Sequence, residues 1–165
     1  METDRVELGM RVLAVFRILI GFLLLWAFMD KMFGLGFKTP SGFGMIDGGS
    51  PSSFVVYTTS GFFADFYNSL AGNQIADILL MAGLLILGIT LILGIASKLT
   101  TVFACLFFLV MYTIHVPPED DPILDFRIIL AVGLVGTYLI GGYDRYSLGS
   151  RWKELSLVKR FPLLE

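Results

Sequence analysis

The chain has one cysteine and one histidine in 165 residues. Cys105 alone allows no intrachain disulfide, no CxxC redox pair and no thiolate cluster for an iron–sulfur centre or structural zinc, and His115 alone excludes a bis-histidine haem. The polypeptide therefore has no recognisable electron store of its own, and neither a metal nor a covalently bound cofactor is expected. Charge is also scarce, with Asp, Glu, Lys and Arg at 16% and a net charge of −2, which argues against nucleic acid as a partner. The opening Met-Glu-Thr-Asp-Arg-Val-Glu carries more acid than base, and no small-residue cleavage site follows the first apolar run. It reads as a retained signal anchor rather than a cleaved signal peptide.

What the chain does have is apolar surface. The apolar share is 56%, with 18 glycines and 15 phenylalanines, and the mean hydropathy is +0.80. That is too apolar for one soluble domain of this size, and it suits tightly packed transmembrane helices. The expected fold is all-α: an integral membrane bundle of four transmembrane helices in a single domain, 1–165, with a short amphipathic helical segment between helices 1 and 2.

Four apolar stretches meet the ~20 residues that a helix needs to cross the hydrocarbon core. They place transmembrane helices at about 10–33, 74–97, 99–116 and 122–142. An outer loop, 34–73, and a tail, 143–165, complete the layout. The last helix opens on Asp121–Pro122, an N-cap acid followed by proline at the first helical position, and stops at Gly141–Gly142. In the outer loop, Ser50–Pro51 reads as an N-cap and first helical residue. Phe62, Phe63, Phe66, Tyr67 and Leu70 fall on one helical face, so one or two short amphipathic helices with a break at Gly61 are expected.

With both termini cytoplasmic, the inner side holds Arg5, Arg11, Lys98, Arg145, Arg151, Lys153, Lys159 and Arg160, and the outer side only Lys31, Lys38 and Arg127. This bias sets the expected orientation of a multi-pass protein of the cell membrane. The tail mixes five basic and three acidic residues with Trp152, Leu155, Leu157 and Val158, and is expected to lie along the inner headgroups.

Ionisable side chains at membrane depth cost about 2.5–3.5 kcal/mol at a helix centre, so each needs a reason. Asp30 and Lys31 end the first helix, Asp77 starts the second, His115 ends the third, and Asp125 and Arg127 start the fourth. Alternating topology brings all of them to one end of the bundle, where they either meet headgroups and water or share a pocket. Asp125 and Arg127 are two apart, about 200° around a helix, so they are expected on different faces; Asp125, within about 20° of Gly136, is the inward one and Arg127 reaches for phosphate. Arg17 is the deepest charge. Either it snorkels inward, or it faces the bundle and pairs with a backbone carbonyl, an acid or a quinone oxygen. His115 is suited to exchange protons with a hydroquinone or to sit satisfied at the interface. The Asp47-Gly48-Gly49-Ser50-Pro51 turn offers N–H groups for an oxyanion near Lys38, and equally reads as an ordinary cap.

The stretches Arg17-Ile-Leu-Ile-Gly21 and Trp26-Ala-Phe-Met-Asp30-Lys31-Met-Phe-Gly34-Leu-Gly36 resemble the DoxX/DoxD family of small four-helix membrane proteins. The likeness continues through Ile46-Asp-Gly-Gly-Ser-Pro51, Phe63-Ala-Asp-Phe-Tyr-Asn-Ser-Leu-Ala-Gly72, Asp121-Pro-Ile-Leu-Asp125 and Leu148-Gly-Ser-Arg-Trp152, and so covers nearly the whole chain. The family includes the large membrane subunit of thiosulfate:quinone oxidoreductase, which oxidises thiosulfate to tetrathionate and passes electrons to quinone. Many relatives carry histidine two residues after the position of Asp125; Arg127 stands there in this chain, a departure that bears on any proton-transfer role at that place.

The resemblance implies a membrane subunit of a quinone-linked oxidoreductase, with quinone as redox substrate, thiosulfate as the implied donor and a second oxidoreductase subunit as partner. Asp30, Lys31, His115 and Asp125 are then the candidate catalytic residues. Arg17, Trp26, Lys38, Gly48, Gly49, Asp77 and Arg127 are the candidate substrate-binding ones. A non-enzymatic membrane scaffold or assembly factor is the alternative, and membrane lipid and a further copy of the chain complete the candidate partners.

Overall fold

The computed structural model describes residues 2–56, 59, 61–116 and 124–161, and among these every regular element is helical. The elements are α1 (Glu2–Phe33), α2 (Pro51–Val56), α3 (Ala64–Leu70), α4 (Gln74–Leu93), α5 (Ser97–Thr113), α6 (Phe126–Leu139), α7 (Gly149–Lys153) and α8 (Ser156–Arg160), with 3-10 turns at Met45–Asp47 and Gly142–Asp144. Two helices, α1 and α4, are long and apolar enough to cross a membrane; α5 and α6 are shorter apolar helices.

Most helix ends follow local chemistry. Asn73 caps α4, its Oδ1 accepting the N–H groups of Ile75 at 2.9 Å and Ala76 at 3.3 Å, and Pro51 opens α2 as expected. Four boundaries differ from the sequence reading. α1 begins at Glu2 rather than near residue 10, because the polar Glu2–Gly9 segment continues the same helix. α4 stops at Leu93, since Gly94 takes a left-handed φ of 66° and its N–H returns to the Thr90 carbonyl. α5 runs from Ser97 to Thr113, so His115 lies beyond its end. α6 starts at Phe126, with Asp125 outside it as an extended N-cap residue; the expected Asp121–Pro122 start lies outside the described residues. Between α2 and α4, Phe62 precedes α3 and Phe63 is its N-cap residue, so these two do not share a helical face with Phe66 and Tyr67.

α1 packs most extensively against α4, and α5 against α6. The α1/α4 seam is tight because it is built on glycine: a Cβ on Gly21 would lie 2.9 Å from the Gly88 carbonyl oxygen, and one on Gly88 would lie 3.0 Å from Leu25 N. Phe16 fills the space over Gly133, where α1 crosses α6. The core gathers Ile20, Leu24, Met81, Leu84, Leu87, Leu91, Ala104, Phe108 and Leu134 from these four helices. Outward faces stay apolar: Leu19, Phe22, Leu79, Ile86, Phe103, Val132 and Leu139 are all exposed. In water that pattern would favour aggregation; in lipid it is the ordinary condition of a helix surface.

Candidate functional site

Asp30, Asp77 and Asp125 are each drawn into a local clip that closes a helix end or a loop. Asp30, 2% exposed, sits in the last turn of α1. Its Oδ1 accepts the Phe37 N–H at 3.2 Å, and its Oδ2 accepts those of Lys38 at 3.0 Å and Thr39 at 2.8 Å. This carboxylate folds the loop after α1 back onto the helix. Lys31 is buried beside it, with Asp30 and Lys38 as the charges acting on it. Trp26 is half exposed and meets the Phe37 ring edge-on at 5.1 Å. Trp26, Asp30, Lys31 and Lys38 thus form one cluster, but its polar centre is spent on the chain's own backbone.

Asp77 makes a second clip. It is 7% exposed, and its Oδ1 accepts the Ser50 hydroxyl at 3.0 Å and the Ser52 N–H at 2.6 Å, so it caps α2 from α4. Ser52 in turn donates to the Leu70 carbonyl and accepts the Gly72 N–H, which ties α2 to the end of α3. The neighbouring turn does not present free donors. The Gly48 N–H donates to Met45 O at 3.2 Å and the Gly49 N–H to Gly44 O at 2.9 Å. Both N–H groups are thus engaged within the chain, as in the ordinary cap that the sequence also allowed: a Cβ on Gly49 would fall 2.0 Å from Phe43 O, while Gly48 has open space around it and supplies a left-handed φ of 86°.

The third clip corrects the expectation that Asp125 and Arg127 occupy different faces. Because Asp125 precedes the helix, its φ of −127° and ψ of 148° turn the side chain back. Oδ1 accepts the Arg127 N–H at 2.7 Å, and Oδ2 pairs with Arg127 Nη1 at 2.7 Å. Arg127 also stacks on Phe126. His115 is half-buried, with Nδ1 3.2 Å from the Met111 carbonyl. Among the described residues no hydrogen bond or ion pair joins the Asp30, Asp77 and Asp125 clips, and none of these acids lines the two hollows described below.

Arg17 belongs to the opposite end. It is fully buried and faces the bundle, the inward of its two sequence readings, with backbone carbonyls as partners. Nη1 donates to Leu91 O at 2.6 Å, and Nη2 donates to Arg145 O and Tyr146 O, both at 3.1 Å. The guanidinium lies 5.1 Å from the centre of the Tyr143 ring, whose hydroxyl is 3.0 Å from Thr101 Oγ1. One cation therefore satisfies the carbonyl end of α4 and pins the chain after α6 beneath it. At the start of α1, Glu7 pairs with Arg145 at 2.6 Å and Arg11 at 3.0 Å. Hydrogen bonds from Arg145 and then Arg11 hold its carboxyl below the ordinary value of 4.5.

A wide opening lies elsewhere. Between α4 and α5, which touch far less than α1 and α4, lies a groove of about 860 Å³. Leu79, Gly83, Ile86, Phe103, Phe107 and Val110 form its sides. Tyr67, Ser52 and Asn73 stand at one end, Thr90 and Thr100 toward the other, and among the described residues Tyr67 is its one ionisable side chain. The Tyr67 hydroxyl shares a hydrogen bond with Thr113 at 2.5 Å. Sequence reasoning missed this groove because it looked for charge. The available signal was Gly83, a glycine inside a helix with no turn to make, which leaves the Phe107 ring 3.2 Å from where a Cβ would be. No family model matches the chain, and no curated protein or solved structure matches it significantly either.

Proposed function

We propose that the chain is a four-span protein of the cell membrane, both termini cytoplasmic, that holds a membrane quinone in the α4/α5 groove as the membrane subunit of a quinone-linked oxidoreductase. The groove carries this reading. From Ile75 to Thr90 it follows α4 for about 22 Å at 1.5 Å per residue, long enough for an isoprenoid tail, with the Tyr67–Thr113 hydroxyls at one end for a quinone oxygen. The lipid-facing apolar surfaces and the excess of Lys and Arg on the loops at the Arg17 end support the span count and orientation. Since the candidate carboxylates are engaged in clips, this chain binds and orients the quinone, and the electron donor chemistry belongs to a partner subunit. Thiosulfate is the donor that the DoxX/DoxD resemblance implies.

A scaffold role is the second reading, favoured by the same clips, because they spend the buried polar groups on holding helix ends together. Quinone extracted from the purified chain separates the two. Quinone is expected to co-purify, and Gly83→Leu, which fills the groove, is expected to lose it about tenfold or more, while Asp30→Asn and Lys31→Met keep it. Loss in the charge variants with full retention in Gly83→Leu would move the site to the Asp30 cluster. Absence of quinone from every preparation would leave the scaffold.

A further inference from the structure

A second hollow, of about 250 Å³, lies at the Arg17 end, where α4 gives way to α5. Its wall includes Ser97, Ser147, Ser150, Trp152 and Lys153, together with one carboxylate, Asp144. Side chains bearing hydroxyls, an indole and an ammonium thus line a space large enough for a phosphate ester. The wall is anchored: Leu148 N–H donates to Leu93 O at 2.8 Å, and Val158 of α8 is fully buried. This holds the tail against the end of α4.

The surroundings of the hollow point the same way. Lys98 and Arg151, next in the chain to its lining, and Lys153 in it are exposed, as are Lys159 and Arg160 on α8, against the exposed acids Asp144 and Glu154. Beside them Leu148, Leu155, Leu157 and Phe161 each leave 44% or more of their surface uncovered. A free anion satisfies the cations and hydroxyls but leaves those apolar side chains in water. An anionic phospholipid satisfies both, with its phosphate in the hollow and its acyl region against the leucines and Phe161.

We propose that this hollow is a headgroup site for an anionic phospholipid of the leaflet that the tail touches. The proposal rests on the membrane reading and is independent of the quinone. Trp26→Phe leaves Trp152, in the wall, as the single tryptophan reporter. The full chain in nanodiscs of phosphatidylcholine, with or without phosphatidylglycerol, is expected to shift its Trp152 emission only when the anionic lipid is present. Adding Lys153→Met is expected to weaken the preference for phosphatidylglycerol about fivefold, the effect of one lost surface cation. Asp144→Asn is expected to strengthen it, and this gain tests the site even if the lysine variant folds poorly. Equal emission in both lipids, or no gain in Asp144→Asn, would overturn the site. The same shift produced by inorganic phosphate in neutral nanodiscs would overturn the lipid and assign the hollow to a free anion.

Discussion

The two faces of α4 make opposite kinds of contact. Toward α1 it offers Gly88 to Gly21, and at its end it gives the Leu91 carbonyl to Arg17, so backbone meets backbone and a buried cation closes the seam. Toward α5 it offers Leu79, Gly83 and Ile86 across an open groove walled by phenylalanine rings. In lipid, no hydrophobic drive pulls helices together, so association rests on close packing and hydrogen bonds. The α1 seam has both. The α5 seam has little of either, and the space it leaves is available to an apolar guest.

Removing the cation should affect this contrast most. Arg17→Met leaves the buried Leu91 carbonyl and the part-buried Arg145 and Tyr146 carbonyls without their donor, and is expected to cost about 3 kcal/mol. A large fall in melting temperature in detergent, with the tail newly open to protease, is the readout. Unchanged stability would mean that the α1 seam does not depend on its clip.

A matched glycine pair comes next. Gly88→Leu forces backbone apart at the closed seam and is expected to destabilise by about 1–3 kcal/mol. Gly83→Leu meets only the movable Phe107 ring and is expected to stay within about 0.5 kcal/mol of the parent. Equal losses in both variants would erase the distinction between the seams.

The smallest effect concerns the surface end of α1. Glu7 has a lowered folded-state pKa, so its contribution is present above its ordinary value of 4.5 and fades as pH falls through the lowered one. The melting-temperature gap between the parent and Glu7→Gln is expected to be small at neutral pH, to narrow on acidification and to shrink in high salt. A gap that widens with acid would reverse this assignment.

Much of the site was legible as a set of positions but not as a set of roles. The sequence marks Asp30, Asp77 and Asp125 as acids at helix ends, and helix-end acids are read equally well as reactive groups or as caps. The choice depends on which donors lie within about 3 Å, and for Asp77 those are the Ser50 hydroxyl and the Ser52 N–H, more than twenty residues away in the chain. Asp125 shows how one boundary changes a reading: placed inside a helix it faces away from Arg127, and placed one residue before the helix it binds Arg127 twice. Gly94 was a signal that hydropathy hid, because the apolar run continues through it while the backbone turns.

Composition and spacing alone determined that the chain is helical, that its long helices are apolar enough for a membrane, and that the segment after residue 50 starts a short helix at a proline. These follow from local energetics, namely helix propensity, capping and the number of consecutive apolar residues. Only the tertiary structure decided that the charged residues act as clips and that the large opening is apolar and lies between α4 and α5. Hydrogen-bond partners and helix-to-helix distance arise from contacts between residues far apart in the chain, and the periodicity of a single helix carries no information about them.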